Sequence, residues 1–382
     1  MRVTIASRIF SPDPAAASFR LAALANGLTE AGARVRVITT TTRSSEPAAT
    51  STGVDVRRFP VLRDRDGYVR GYLQYLSFDI PLFFRLLLSP RPDVYVSEPP
   101  PTTGVVVRVV SALTRVPYVY YAADIWSDAA ESTGAPRFVV RMLRLVESHV
   151  LRHARRVIAV SDGVARRVDE LSGSGRTSVV PNGIDTSIFS PGDPGREAAP
   201  VIIYAGTTSE WQGADIFVRA MPAVRRQIPG VKLVFLGQGS AWESLEELAA
   251  EVAPGAVDFH GVVAPERAAE SLRGARVAAV SLKPGQGYDF AIPTKIFAAV
   301  ACGTPVLFTG QGPAATIIES ADIGLAVDYQ VEAVANALTV MLSVDSRWDP
   351  QRLAEWCREN ASLQTAGRRA AQVVSDAGSA SL

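Results

Sequence analysis

The regular alternation of short β-rich runs with longer stretches of helical periodicity is the feature that most constrains the fold of this chain. Helical stretches separate most of the β-rich runs, beginning with residues 18–32, where apolar residues recur at helical spacing and a glycine ends the segment. This order is typical of parallel sheets covered by helices, so we predict an α/β fold with two doubly wound units. The predicted strands are 3–6, 35–39, 54–59, 94–96, 118–121, 157–160 and 177–180, then 201–204, 231–236, 257–260, 277–281 and 305–308.

The chain has 382 residues, enough for two domains that each bury their own core. We predict an N-terminal domain over 1–188 and a second domain over 201–347. Residues 189–200 are rich in proline and glycine, which disfavour regular structure and are typical of an exposed connector. We expect a helical tail over 348–382 that packs back toward the N-terminal domain and is frayed from residue 375.

The charge of the whole chain is close to neutral, with 39 basic and 38 acidic residues, so no nucleic-acid partner is expected. Residues 1–190 hold 24 arginines against 17 acids, net +7, whereas residues 191–382 hold 15 basic and 21 acidic residues, net −6. The two halves are therefore expected to meet different partners. Two cysteines exclude a disulfide framework and favour a reduced, cytoplasmic setting. No signal peptide or spanning segment is predicted, so membrane contact would be peripheral.

Four glycine-containing loops follow predicted strands of the second half and should meet at one sheet edge, where such sheets bind ligands. Each loop alone is more simply explained as a turn, but four together favour a ligand of nucleotide size. The loops are Ala205 to Gly213, Gly237-Gln-Gly239, Gly261-Val262-Val263 and Thr309 to Pro313, which contains Gly312.

The segment Ile292-Pro-Thr-Lys295 is the most specific signal in the chain. Pro293 suits the first turn of a helix, which places Thr294 and Lys295 near a positive helix N-terminus, where anions bind. The chain contains 36 arginines but only three lysines, and two of these, Lys283 and Lys295, lie close together. We predict that Lys295 contacts phosphate, and we interpret Lys232 as a solvated surface residue.

Further motifs follow one another in a recognisable order: Phe10-Ser-Pro12 with Arg20, Asp124-Ile-Trp-Ser-Asp128, Val160-Ser-Asp-Gly163, Val180-Pro-Asn-Gly-Ile-Asp185 with Phe189, Tyr204-Ala-Gly206 with Gln212-Gly213, and Ile292-Pro-Thr-Lys295. In this order and spacing they resemble the retaining glycosyltransferases of family 4, over nearly the whole chain. Asp124-Ile-Trp-Ser-Asp128 is similar to a motif of a subgroup that builds cell-surface polysaccharides and attaches amino sugars. The resemblance implies the GT-B fold, with two facing Rossmann-like domains, the donor bound by the second domain and the acceptor by the first.

The resemblance also implies roles for individual residues. Lys295 would stabilise the negative charge of the departing nucleoside diphosphate, and Arg20 would reach the same phosphates. Asp124 would position the acceptor or accept its proton. The alternative readings are a surface arginine at position 20 and a helix-capping aspartate at position 124. The implied donor contacts are Gly206, Thr207, Gln212, Gly237, Gly261, Val262, Thr294, Lys295 and Gly312.

Two positions depart from the family pattern. Many members have a glutamate that grips the nucleotide ribose where this chain has Ala298, and another where it has Phe290. Asp289, one position away, is a candidate substitute. These departures leave the donor open.

No metal or other cofactor is expected. Asp64-Arg65-Asp66 is better explained by surface ion pairing than by metal binding, and His149, His153 and His260 have no nearby set of zinc ligands. We interpret His149 and His153 as residues on a helix surface.

An arginine-rich stretch leads into an aromatic run in the first half. This combination suits the surface of an anionic membrane, where a lipid-linked acceptor would lie at the inner face. The alternative is that the aromatic residues fill the core while the arginines are solvated. The residues concerned are Arg57, Arg58, Arg63, Arg65 and Arg70, with Tyr68, Tyr72, Tyr75, Phe78, Phe83 and Phe84.

The sequence thus predicts transfer of a sugar from a nucleoside diphosphate sugar to an acceptor hydroxyl, with retention implied by the resemblance alone. The acceptor is either lipid-linked or a small molecule. Three alternatives stay open at this point: a tailoring glycosyltransferase of natural-product biosynthesis with an unusual donor, a nucleotide-sugar epimerase, and a non-catalytic protein that binds sugar nucleotides.

Overall fold

A computed structural model describes residues 1–13, 15–42, 53–64, 69, 71–132, 134–192, 200–343 and 347–379. The chain forms two compact units, one made of Met1–Asn182 with Leu363–Leu382 and the other of Gly183–Ser362. Each unit is a parallel sheet with helices on both faces, which confirms the predicted α/β class. Among the described helices, none combines the length and the apolar character needed to cross a membrane.

The first unit contains a seven-stranded parallel sheet in the order β3-β2-β1-β4-β5-β6-β7. Two central strands, β4 and β5, are buried at every position, as expected for strands covered by helices on both faces. The elements in chain order are β1 (Arg2–Ala6), α1 (Ala16–Glu30), β2 (Arg34–Thr40), β3 (Val54–Phe59), α2 (Tyr72–Leu88), β4 (Val94–Ser97), α3 (Pro101–Thr114), β5 (Tyr118–Ala122), α4 (Trp126–Ser132), α5 (Arg137–His153), β6 (Arg156–Ala159), α6 (Asp162–Ser172) and β7 (Thr177–Val179).

The second unit contains a six-stranded parallel sheet in the order β10-β9-β8-β11-β12-β13. The strand order reverses between β8 and β11, so the loops that follow these two strands flank the crevice where doubly wound sheets bind ligands. The elements are β8 (Val201–Thr207), a 3₁₀ turn (Glu210–Gln212), α7 (Asp215–Gln227), β9 (Lys232–Gln238), α8 (Trp242–Val252), β10 (Val257–His260), α9 (Pro265–Arg273), β11 (Val277–Ser281), α10 (Thr294–Ala301), β12 (Val306–Thr309), α11 (Pro313–Ser320), β13 (Gly324–Val327), α12 (Val331–Ser343) and α13 (Pro350–Asn360). The chain then returns to the first unit through α14 (Leu363–Ser379).

All twelve predicted strands are present, each within a few residues of its expected bounds. The predicted helix over 18–32 is also confirmed as α1, which begins two residues earlier. The sequence missed β13, which has four residues and is fully buried only at Gly324. So short and half-covered a strand shows neither a long apolar run nor a clear alternation.

The boundaries between the units differ from those predicted at 189–200 and 348. Residues 183–189 join the second unit because the Ile184 N–H donates a 2.8 Å hydrogen bond to the Ala361 carbonyl, while Ile184 and Phe189 pack against that unit's core. The tail also divides, since α13 packs on α10 of the second unit and α14 packs on α1 of the first.

Two glycines let α1 and α14 approach each other closely. A Cβ added at Gly27 would lie 2.7 Å from the Gly367 carbonyl oxygen, and one added at Gly367 would overlap the Ala23 carbonyl oxygen. The predicted fraying from residue 375 is wrong over 375–379, because α14 continues to Ser379 and buries Ala377. The last three residues lie outside the described chain.

Candidate active site

A cavity of about 460 Å³ lies at the carboxyl edge of the second sheet, between the ends of β8 and β9 and the start of α10. Because it adjoins the point where the strand order reverses, it occupies the position expected for a ligand site. Six of the predicted donor contacts line it: Gly206, Thr207, Gly237, Val262, Thr294 and Lys295.

Lys295 is half-buried in the first turn of α10 and is held by the end of β8. Its Nζ donates hydrogen bonds to the Tyr204 hydroxyl at 2.8 Å and to the Thr207 carbonyl at 3.0 Å, and it lies 4.0 Å from the centre of the Tyr204 ring. It forms no ion pair with any described residue. Burial lowers the pKa of the Lys295 ammonium group to about 7. An ammonium group in a cavity without a carboxylate partner is suited to binding an anion.

Glycines at the ends of β8 and β9 form the cavity floor beside this lysine. Gly206 and Gly237 are paired across the two strands and have positive φ angles of 128° and 135°. A Cβ at Gly237 would overlap the Gly206 carbonyl oxygen, whereas a Cβ at Gly206 would point toward Lys295, 3.4 Å from its Cε. Glycine is therefore required at 237 for packing, and at 206 it leaves the space beside the ammonium group open.

Three predicted contacts do not line the cavity. The Gln212 side chain is buried and accepts a 3.0 Å hydrogen bond from the Ser209 N–H, so it caps the 3₁₀ turn. Gly312 packs so closely on the Asp289 carbonyl that any Cβ would overlap it, which makes it a loop-packing residue. Gly261 is exposed, and open space surrounds it.

The two positions that depart from the family pattern, 298 and 290, lie in different surroundings. Ala298 lines the cavity one helical turn after Lys295, and Phe290 is exposed. Asp289 does not line the cavity. Both of its carboxylate oxygens accept a hydrogen bond from the Gly285 N–H, at 3.3 Å. Asp289 thus does not replace the missing carboxylate at this wall.

Arg20 lies inside the first unit, so its interpretation as a surface residue is wrong. Its Nη2 forms a 3.1 Å ion pair with Glu98, and both side chains are less than a tenth exposed. Glu98 also accepts a 2.6 Å hydrogen bond from the Ser7 hydroxyl, and Arg20 Nη1 lies 3.4 Å from Asn182 Oδ1. The guanidinium predicted to reach phosphate is therefore already bound to a buried carboxylate.

Asp124 is exposed directly after β5, and its interpretation as a helix cap is wrong. The first N–H groups of α4, from Trp126 and Ser127, donate instead to the buried carboxylate of Glu147 at 2.8 and 3.0 Å. Within the described part of the chain, the Asp124 carboxylate has no hydrogen-bond partner. At the other end of the motif, Asp128 accepts two hydrogen bonds from Arg167, at 2.6 and 2.9 Å.

The arginine and aromatic run divides between core and surface. Phe78 is fully buried and Phe83 is half-buried, whereas Phe84 is exposed. Arg57 pairs with Asp55 at 2.7 Å, and Arg58 donates to the carbonyl oxygen of Thr40. Arg65, Asp66, Tyr68, Arg70 and the side chain of Tyr72 lie outside the described residues.

The histidines predicted on a helix surface are there. His149 and His153 are exposed on α5, with ring centres 4.3 Å apart. Across the described ranges, no three His, Cys, Asp or Glu side chains are grouped as metal ligands.

Sequence reasoning gave no role to three residues that organise these sites: Tyr204, which it quoted only as part of a motif, Glu98 and Glu147. Glu98 lies two residues after the predicted strand 94–96 and directly after β4, which is a signal that could have drawn attention to it. Glu147 lies on the inward face of α5, between the buried residues Val140 and Val150, where helical periodicity leads one to expect an apolar residue. An acidic residue at an inward helical position indicates a specific buried partner.

Comparison with known protein families assigns both halves of the chain. A model described as a glycosyl transferase 4-like domain matches residues 16–183, and a model described as glycosyl transferases group 1 matches residues 199–343. The chain belongs to the family 4 type of glycosyltransferases. The family resemblance stated from the motifs is thereby confirmed.

Among curated members of this glycosyltransferase family, two relatives are similar over part of their length. The GDP-mannose-dependent alpha-(1-6)-phosphatidylinositol monomannoside mannosyltransferase of Mycolicibacterium smegmatis is 28% identical over 251 residues, covering 60% of this chain and 62% of the relative. The D-inositol 3-phosphate glycosyltransferase of Acidothermus cellulolyticus is 30% identical over 249 residues, covering 59% and 54%. The matched part of the chain thus spans between half and two thirds of these relatives.

Solved structures with a similar fold establish the fold of this glycosyltransferase family member. HepE from Anabaena, crystallised in complex with UDP, has a TM-score of 0.70 at 17% identity and covers 98% of this chain and 100% of its own. Sucrose-phosphate synthase from Thermosynechococcus elongatus has a TM-score of 0.65 at 21% identity, covering 100% and 97%. The fold is GT-B, as the motifs implied.

Proposed function

We propose that this chain transfers a sugar from a nucleoside diphosphate sugar to an acceptor hydroxyl, and that the donor binds in the cavity of the second unit. The observation that carries the proposal is Lys295, a lysine without a carboxylate partner beside a glycine floor at the switch in strand order. Family membership supports it, as do the names of the two curated relatives and the UDP bound to HepE.

Lys295 has the chemistry that the departing group requires. As the bond between the sugar and the diphosphate breaks, negative charge builds up on the leaving oxygen, and a preorganised ammonium group stabilises that charge. The N-terminus of α10 adds its positive partial charge at the same place. We therefore expect catalysis without a metal ion. Retention of configuration rests on the family resemblance alone and stays a prediction.

Asp124 is the proposed acceptor residue in the first unit. Its carboxylate is exposed and unpaired among the described residues, so it can accept a hydrogen bond or a proton from an acceptor hydroxyl. Glu147 caps the helix that follows and Arg167 holds Asp128, which fixes the backbone on which Asp124 stands. The amino-sugar subgroup that this motif resembles stays a prediction.

We further propose that the acceptor is lipid-linked, and that the protein reaches it by binding peripherally to the inner, cytoplasmic face of an anionic membrane. Helices α2, α3 and α5 pack side by side on one face of the first sheet. Their only acidic residues, Asp79 and Glu147, are buried, whereas Arg137 and Arg141 are exposed. The exposed apolar side chains of these helices, the apolar face below, are Leu73, Leu76, Ile80, Phe84, Leu87, Leu88, Val109, Leu113, Phe138, Met142 and Leu145.

An apolar and basic surface whose three helices carry no exposed carboxylate of their own suits an anionic bilayer, because the side chains enter the headgroup region while the arginines attract lipid charge. A small-molecule acceptor would need no such surface. Vesicle binding therefore separates the two acceptor classes.

The donor proposal is tested by thermal unfolding of the full chain with UDP, GDP, ADP and TDP. A nucleotide that binds only the folded state stabilises it by about 2.7 kcal/mol at 100 times its Kd. We expect at least one nucleotide to raise the Tm of the wild type and of Lys232→Ala, whose lysine is paired with Asp258 at 3.2 Å outside the cavity. Lys295→Ala should lose most of the increase.

Failure of every nucleotide to shift the Tm of the folded wild type would overturn the donor assignment.

If a nucleotide binds, product analysis separates the possible reactions. Sugar appearing on an acceptor supports a transferase, whereas a changed donor in the absence of acceptor would indicate an epimerase. Binding without any turnover would indicate a binding protein.

A further inference from the structure

The wall of the donor cavity next to Lys295 is apolar. Ala298, Ala268, Leu272, Ile184, Phe189 and Val263 contribute to it. In the described lining, Lys295 is the charged side chain, and Thr207, Gln238 and Thr294 supply the polar ones. No carboxylate of the described chain faces this cavity.

The arrangement of α10 indicates which part of a nucleotide meets that wall. Lys295 and Ala298 are three residues apart, so they lie on the same side of the helix, one turn from each other. A diphosphate bound by Lys295 joins the pentose on one side to the transferred sugar on the other, and we place the pentose beside the Ala298 methyl group, the position at which many family members grip the ribose.

A ribose carries two neighbouring hydroxyl groups, at the 2′ and 3′ positions, and each needs a hydrogen-bond partner when it is buried. The methyl group of Ala298 offers none. Two aspartates near lining residues along the chain already accept hydrogen bonds from their own neighbours: Asp289 accepts from the Gly285 N–H, and Asp185 accepts from the Ser187 N–H at 2.9 Å and from its hydroxyl at 2.5 Å.

From this wall we infer that the donor is a 2′-deoxyribonucleoside diphosphate sugar. This inference rests on the proposed function and names its substrate class. A 2′-deoxyribose has one hydroxyl fewer to bury against Ala298, so it leaves one polar group fewer to be satisfied there. The 2′ carbon, which is apolar without its hydroxyl, then packs against an apolar wall.

The test is calorimetry with nucleotide pairs that differ only by the 2′-hydroxyl: UDP with dUDP, GDP with dGDP, and ADP with dADP, together with TDP. For the base that binds, we expect the deoxy compound to bind wild-type protein about tenfold more tightly, the scale of one unpaired buried hydroxyl. Equal affinity, or tighter binding of the ribonucleotide, would overturn the inference and leave the proposed function standing. Binding of none of these nucleotides, TDP included, would instead overturn the proposed function, whereas binding of TDP alone would support the inference.

The Ala298→Glu variant tests whether the preference for the deoxy compound arises at this wall. A carboxylate at this position accepts hydrogen bonds from ribose hydroxyls, so the variant should bind the ribonucleotide more tightly than wild type and lose the preference for the deoxy compound. Ala298→Gln is the uncharged counterpart and should shift the preference less. An unchanged ratio in a folded Ala298→Glu protein would contradict recognition at this wall. The wild-type ratio decides the main question even if neither variant folds.

Discussion

Lys295 donates a 2.8 Å hydrogen bond to the hydroxyl group of Tyr204, whose ring is fully buried beneath the cavity floor. The Thr207 carbonyl accepts a second hydrogen bond from the same ammonium group. The lysine is therefore oriented before any ligand arrives, and no carboxylate among the described lining residues competes with a phosphate for it. Preorganised charge of this kind acts on a transition state without reorganisation of the site.

Replacing Lys295 should impair catalysis more than folding. Lys295→Ala removes one stabiliser of the developing charge, so we expect kcat to fall by about 10²- to 10³-fold. Steady-state kinetics of the variant measure the effect, with Lys232→Ala as the matched lysine deletion. Turnover at the wild-type rate in a folded Lys295→Ala protein would refute the assignment.

The pH dependence of donor binding should follow Lys295. Its pKa of about 7 means that the amine of the free protein loses its proton as the pH rises through neutrality. Affinity for an intact nucleotide sugar should therefore be highest below pH 7 and fall between pH 7 and 8.5. Arginine stays charged in this range, so Lys295→Arg should show a flat profile. A flat wild-type profile in calorimetry would contradict the prediction.

The same group affects stability. The lowered pKa of Lys295 means that between pH 7 and its ordinary value near 10.5, the unfolded chain binds more protons than the folded chain. The cost of burying the charged amine is fully present below pH 7, and the free energy of unfolding should rise with pH across this window. Lys295→Met, which has no charge to bury, should lack that rise. Denaturant unfolding at several pH values measures the difference.

Gly237 at the cavity floor and Gly261 outside the cavity offer a matched pair of glycine substitutions. Gly237→Ala forces a Cβ onto the Gly206 carbonyl at a positive φ of 135°, so we expect a loss of at least about 2 kcal/mol of unfolding free energy. Gly261→Ala places a Cβ in open space and should be close to neutral. Denaturant titrations compare the two, and equal stability would show that the backbone at 237 relaxes freely.

The apolar face predicts membrane binding that depends on charge. The protein should co-sediment with anionic vesicles at low salt and be released as the Debye length falls below about 8 Å. Ile80→Glu with Phe84→Glu should weaken binding, whereas Val340→Glu, an equally exposed apolar site in the second unit, should not. If the wild type does not sediment even at low salt, the proposed membrane contact is wrong and a small-molecule acceptor is favoured.

The sequence by itself determined the elements and the place of the candidate site. Periodicity and turn residues depend on neighbours within a few positions, so twelve strands and the two doubly wound units could be predicted before any contact was known. Pro293 with Lys295, and the glycines at 206 and 237, indicated the proposed anion site because helix starts and tight turns are local features. The four-residue β13 carried too little local pattern to be found.

Only the tertiary structure decided which side chains are free to act. Arg20 is paired with Glu98 and Lys295 rests on Tyr204, partners that are 78 and 91 residues away along the chain. Asp124 is available because Glu147, on another helix, supplies the cap that the aspartate would otherwise provide. Long-range packing sets these pairings, since burial requires each polar group to find a partner wherever the fold brings one. The role of a polar side chain therefore depends on contacts that no local pattern encodes.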